Sequence, residues 1–244
     1  MHSFARYLVF FQYIGTKYSG VVKGPPHNLE KRGVQDYLED AIQKLKPVNP
    51  VSLSISSRTD TGVHALSNSA HFDLQRRDDK PPFTEDVVVQ ALNFHLKTEQ
   101  IRITRARRVP ADFHARYRAQ SRTYVYRLAL GSSHYSLLPL TDGELCWSLS
   151  NTELQFLELT FTSRSFLYKQ VRRLTGALVA VGQGKLSIPR LKHLLEVRDS
   201  LAYPQGMAAP AQGLFLTKVD YEETDLQPSE EQRPSTSNSK DGCT

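Results

Sequence analysis

Two hydrophobic periods take turns along this chain, and their order restricts the fold more than any other feature. Arg6 to Phe11, Val51/Leu53/Ile55, Ala70/Phe72/Leu74, Ile101 to Val109 and Ser121 to Leu130 read as strands, with apolar side chains at every second position in 51–55, 70–74 and 124–130. Leu154 to Phe161 and Leu214 to Tyr221 extend the set. Between them, Val34, Leu38, Ala41, Ile42 and Leu45 recur at helical spacing, as do Leu167, Val171, Leu174, Leu178 and Val181. Pro47 and Pro50 stop the first of these helices. Thr84, followed by Glu85 and Asp86, reads as the cap of another, and Ser187 to Val197 as a further one. Several strands are joined by short links, which a purely parallel sheet does not allow. The pattern predicts an α+β fold: a mixed, largely antiparallel sheet with helices packed on one side.

A chain of 244 residues can bury a sizeable core without staples. It holds only two cysteines, Cys146 and Cys243, and no CxxC pair, which fits a reducing, intracellular setting. No apolar run approaches the ~20 residues of a spanning helix, so no membrane partner is expected. The N-terminus enters a strand at once and has no leader-peptide pattern. The segment from Glu222 to Thr244 carries six acids and two bases, offers little to bury, and is expected to be a disordered acidic and polar tail.

Charge narrows the class of partner. The whole chain is +6, and without that tail residues 1–221 carry +10. From Lys97 to Arg127 there are nine bases against Glu99 and Asp112. Eight of the nine are arginine, the side chain best shaped for bidentate phosphate contacts. A polyanion, with nucleic acid the commonest, is the expected partner.

The loop Ser57-Arg58-Thr59-Asp60-Thr61-Gly62-Val63-His64 lies between two alternating strands and concentrates polar side chains ahead of a glycine. One reading is an ordinary turn, with Asp60 bonding to backbone N–H groups and Gly62 supplying a positive φ. Another makes Asp60 a carboxylate held ionised by a neighbouring arginine, ready as nucleophile or base. A hydrolytic set of Ser57, Asp60 and His64 lacks the strand-to-helix elbow such sets use. His64 and His71 have no recognisable metal-ligand spacing and read as structural.

Arg58 to Ala65 closely resembles the R-T-D-x-G-V-H-A signature of the TruA-type tRNA pseudouridine synthases. Five further blocks follow that family in order. Phe11 to Gly20 resembles its opening strand and turn, with Ile14 where Asp is usual, and Ser69 to Asp73 the strand after the signature. Asp112 to Tyr117 resembles its D-F-H-A-R segment, followed by Arg122 to Tyr126. Phe166 to Arg173 resembles its late helix, and Gln212 to Leu216 its closing strand. The pattern is nearest the pseudouridylate-synthase-like branch. One block departs: after Leu145-Cys146-Trp147 the family continues with a helix and a long loop, whereas Ser148 to Glu153 here leads almost directly into Leu154.

The resemblance implies a pseudouridine-synthase-like fold in two halves, 1–110 with the signature loop and 111–221 shortened near 148–153. It implies isomerisation of a uridine in tRNA or another structured RNA, with no cofactor or metal, and a homodimer. Asp60 would be the nucleophile or base, Arg58 would position the nucleotide, and Arg172 would hold Asp60 by a salt bridge. Tyr124 would be the stacking platform, with Leu214 and Leu216 closing the pocket and Tyr126 in the core. Arg105, Arg107, Arg108, Arg116, Arg118 and Arg122 would grip the RNA backbone. The missing block leaves a second outcome, an RNA-binding protein of the same fold with impaired catalysis. The branch assignment implies a mitochondrial location; the residues alone leave cytosol and nucleus equally open.

Overall fold

The computed structural model describes residues 4–24, 31–131, 138–139, 142–150, 153–199 and 201–227. In chain order the strands are β1 (Phe4–Tyr13), β2 (Leu53–Ile55), β3 (His64–Gln75), β4 (Ile101–Val109), β5 (Ala119–Leu130), β6 (Trp147–Leu149), β7 (Gln155–Ser163) and β8 (Leu214–Tyr221). The helices are α1 (Val34–Gln43), α2 (Glu85–His95), α3 (Gln170–Gly182) and α4 (Ile188–Val197). All eight strands form one mixed sheet whose backbone order is β4-β1-β3-β8-β5. β1 lies antiparallel to both β3 and β4, β2 pairs β3, and β5 lies antiparallel to β8 and β7. Residues 128–130 of β5 pair with β7 and with the parallel strand β6 at once, so those two must occupy opposite edges.

Alternation along β1 divides the side chains between two faces. Tyr7, Val9, Phe11 and Tyr13 join the main core together with Val34 and Leu38 of α1, Val88 and Leu92 of α2 and Val171 of α3. The helices therefore cover one face, as the hydrophobic pattern predicts. Leu8 and Phe10 face the other way, against Val109, Phe113, Ala115 and Leu226. There the cover is irregular chain, residues 110–117, and a short 3-10 turn, Glu223–Leu226.

That turn corrects one expectation. Residues 223–227 are not a disordered continuation of the tail: Leu226 is buried, Glu223 pairs with Arg107 and Asp225 with Arg118. One leucine and two ion pairs are enough to fasten a segment that composition alone marks as having nothing to bury. Residues 228–244, including Cys243, lie outside the described residues. Two local expectations also change. Thr84 occupies the cap position of α2 but makes no side-chain cap bond. Residues 166–169, expected within the late helix, do not belong to α3, which starts at Gln170 after Lys169 adopts φ 55°.

The second half is thinly covered. No residue of α4 is buried, and Leu154, Phe156 and Leu157 around the start of β7 are each about half exposed. Among the described residues, β7 pairs with β5 alone. An open strand edge with exposed apolar side chains is a feature folded domains normally cover.

Candidate active site

Beyond β2, residues 56–63 form the loop that leads into β3. Gly62 has φ 79°, a conformation a side chain would strain, and the Val63 N–H donates to the Asp60 carbonyl at 3.1 Å to close the turn. Behind the loop lies a buried polar web. The Tyr13 and Thr59 hydroxyls are 2.7 Å apart, and Asn68 Nδ2 donates to the Ser57 carbonyl at 3.0 Å. Ser56 Oγ donates to Asn68 Oδ1 at 3.0 Å. Burial pushes the Tyr13 phenol up to about 12, so it stays protonated as a member of this web. The loop is thus held from below while Asp60 stands partly exposed above it.

His64 clamps the far end. Its Nδ1 accepts from the Gly15 N–H at 2.9 Å and its Nε2 lies 3.2 Å from the Gln212 carbonyl, tying the turn after β1, β3 and the approach to β8 together. Burial depresses its pKa to about 4, which keeps the ring neutral. Both nitrogens are spent on backbone, so no triad with Ser57 and Asp60 exists. His71 is likewise neutral, depressed to about 4 by burial, and accepts from the Ala115 N–H at 3.1 Å.

Next to His64, residues 64–65 of β3 pair in parallel with residues 215–216 of β8. This short pairing brings the end of the chain beside the loop. α3 then crosses above: Arg172 Nη1 lies 3.3 Å from Asp60 Oδ2, while its Nε donates to the Ala209 carbonyl at 2.7 Å. The guanidinium is fixed at one end by backbone and presented at the other to the carboxylate.

These parts enclose a cleft of about 560 Å³. Asp60, Arg58, Arg172, Tyr124 and Leu214 line it, as do Arg116 and Arg122. Tyr124 is 8% exposed and meets Phe166 edge to face at a centroid distance of 5.2 Å. Burial raises its pKa, and among the described residues no hydrogen bond to its hydroxyl is found. Tyr126 is fully buried and donates to the Pro210 carbonyl at 2.7 Å, a core residue as expected. Six cations line the cleft (Arg58, Arg116, Arg122, Arg164, Lys169 and Arg172), and Asp60 is the only acid among its described lining residues. Such a concavity concentrates a field that attracts anionic ligands.

Several expected site residues lie elsewhere. Leu216 is fully buried and does not reach the cleft; it pairs with Tyr124 across the sheet. Arg107 is held by Glu223 through two bonds of 2.6 and 3.1 Å, Arg108 by Glu85, and Arg118 by Asp112 and Asp225. Their charge serves intramolecular pairs. Arg105 stacks over the Phe10 ring, 4.2 Å from its centroid, outside the cleft. Arg122 lines the cleft but is buried, with its donors turned into protein carbonyls. Clustering in sequence could not separate these cases, because strand alternation sends neighbouring arginines to different surroundings. The segment 164–169 was not identified as a wall, because Phe166 to Lys169 reads as the start of the late helix rather than as loop.

Comparison with known proteins defines the class. A family model described as tRNA pseudouridine synthase matches residues 9–118 and 143–222, and the chain belongs to that family. Its expected fold and enzyme class stand. Among curated relatives, tRNA pseudouridine synthase-like 1 of Xenopus laevis is 45% identical over 284 residues, covering 93% of this chain and 95% of the relative. Its human namesake is 42% identical over 276 residues, 89% of this chain and 90% of the relative. tRNA pseudouridine synthase A of Maricaulis maris is 32% identical over 255 residues, 88% and 98% respectively. An alignment of 284 positions that uses 93% of 244 residues leaves roughly 57 positions where this chain has nothing opposite the Xenopus relative.

Proposed function

We propose that this protein isomerises a uridine of tRNA to pseudouridine in the Asp60 cleft. The observation that carries this reading is the Arg172–Asp60 pair inside a cleft whose other described charged lining residues are all cations. Pseudouridine formation breaks the bond between ribose C1′ and uracil N1, turns the base, and joins C1′ to C5, from which a proton is lost. The base must be handled outside its stack, which suits an enclosed pocket with an aromatic wall. Asp60 acts on the ribosyl–uracil unit as nucleophile or base, and Arg172 keeps the carboxylate aimed at the cleft. Tyr124, braced edge-on by Phe166, offers a ring face to the extruded base, and Leu214 packs at its rim. Arg58, Arg116, Arg164 and Lys169 meet the flanking phosphates.

Release of tritium from tRNA carrying 5-tritiated uridine tests the proposal, since only the isomerisation expels that hydrogen. A chain that binds tRNA but releases none is the impaired binder, an outcome favoured by the exposed β7 edge and the roughly 57 absent positions.

A further inference from the structure

Arg122 is a buried cation lining the cleft, and among the described residues no carboxylate pairs with it. Its Nη1 donates to the carbonyls of Ala119 at 3.1 Å and Arg164 at 2.7 Å, and its Nη2 to those of Ser56 at 3.1 Å and Arg116 at 2.7 Å. The Nε lies 3.4 Å from Ser57 Oγ. All five N–H donors are thereby directed at protein oxygens, and every one of those oxygens is neutral. Burial lowers its pKa, with no carboxylate among the contributing neighbours. An arginine kept only for packing is normally neutralised by an acid, because a buried charge without a counter-charge is strongly destabilising.

The four carbonyls belong to three segments far apart in sequence: the entry to the Asp60 loop, the 116–119 stretch, and the 164–169 wall. Each of these segments lines the cleft. The β5–β7 ladder ends where Arg122 pairs with Ser163, next to the 164–169 wall, and from there the guanidinium carries the connection on to the carbonyls of Arg164, Arg116 and Ser56. We propose that Arg122 is a positioning residue that sets the spacing of the three cleft walls around Asp60. This rests on the synthase reading for its catalytic consequence but not for its structural one.

Wild type, Arg122→Met and Arg122→Lys are compared by amide hydrogen exchange and by tritium release with kcat and KM resolved. Met keeps the side-chain volume and loses every donor; Lys keeps the charge and three donors. In the Met variant, exchange should quicken together at 56–60, 116–119 and 164–169 while β1 and β3 stay protected. Its kcat should fall on the order of 100-fold, the cost of a displaced reacting group, with KM changed much less. The Lys variant should recover most of both. Loosening near residue 122 alone, or everywhere alike, would overturn the inference, as would a Met variant with wild-type kcat. Should the Met variant fail to fold, the Lys variant carries the decision: partial loosening at the same three segments supports the assignment and none defeats it. If wild type itself releases no tritium, the synthase reading fails while the exchange pattern still decides what Arg122 does.

Discussion

Arg172 and Asp60 are 112 residues apart in sequence and 3.3 Å apart in the fold, with the arginine secured by the Ala209 carbonyl. A long-range ion pair of this kind predicts a graded series. Asp60→Asn should reduce tritium release to background while tRNA affinity stays within about threefold, because phosphate contacts dominate binding. Arg172→Lys, which cannot hold Ala209 and Asp60 together, should lower kcat on the order of 100-fold. Turnover by Asp60→Asn would remove the carboxylate from the mechanism.

Tyr124 separates stacking from bonding. Its ring meets Phe166 while its hydroxyl has no hydrogen bond among the described residues, so Tyr124→Phe should keep the wild-type melting midpoint and most activity. Tyr124→Ala should lose ~1–3 kcal/mol of base stacking, read as a weakened kcat/KM. Equal and severe unfolding of both variants would make the ring a core residue.

Which arginines meet RNA is measurable as a salt slope. Arg116→Gln, Arg164→Gln and Lys169→Gln should each flatten the plot of log affinity against log salt by about one unit for every phosphate no longer neutralised. Arg107→Gln should leave the slope unchanged, because Glu223 already occupies that guanidinium. A slope lowered by Arg107→Gln would mean that RNA displaces Glu223.

His64 and His71 bind fewer protons folded than unfolded, since burial holds both near 4 against an ordinary 6.5. Their neutral, bonded form contributes stability in full above about pH 6.5, and that contribution is lost as pH falls toward 4. The melting midpoint should drop steeply across this window, and His64→Asn should have a lower midpoint at pH 7 but a shallower fall. Parallel curves for the variant and wild type would mean that His64 titrates normally.

The exposed side chains around β7 predict the effect of the missing block. Inserting a family-like helix and loop after Trp147 should raise the melting midpoint and the tritium-release rate, since each apolar side chain covered is worth ~1.5–3 kcal/mol. Both forms should bind tRNA. Equal stability and turnover would show that the block is dispensable.

Seven of the eight strands, the helices and the signature loop were legible because they depend on local period and local turn chemistry, whereas β6 (Trp147–Leu149) is too short to show a period. Val51 to Leu74 reads as strand, loop, strand from alternation and Gly62 alone. Arg172 was assigned to Asp60 only through family resemblance, since periodicity could not bring two such distant segments together. Long-range pairings decided the rest. Arg107 and Arg116 are nine positions apart in one basic run, yet one is neutralised by Glu223 and the other faces the cleft. Leu214 and Leu216 share a strand face, but only the first reaches the cavity. The sequence by itself determined all but one of the sheet's strands, the polar loop with its carboxylate, and an excess of positive charge. Only the tertiary structure decided which charges remain available and that Arg122 ties the walls together, because a side chain's electrostatic fate depends on the acids and carbonyls that distant segments bring within reach.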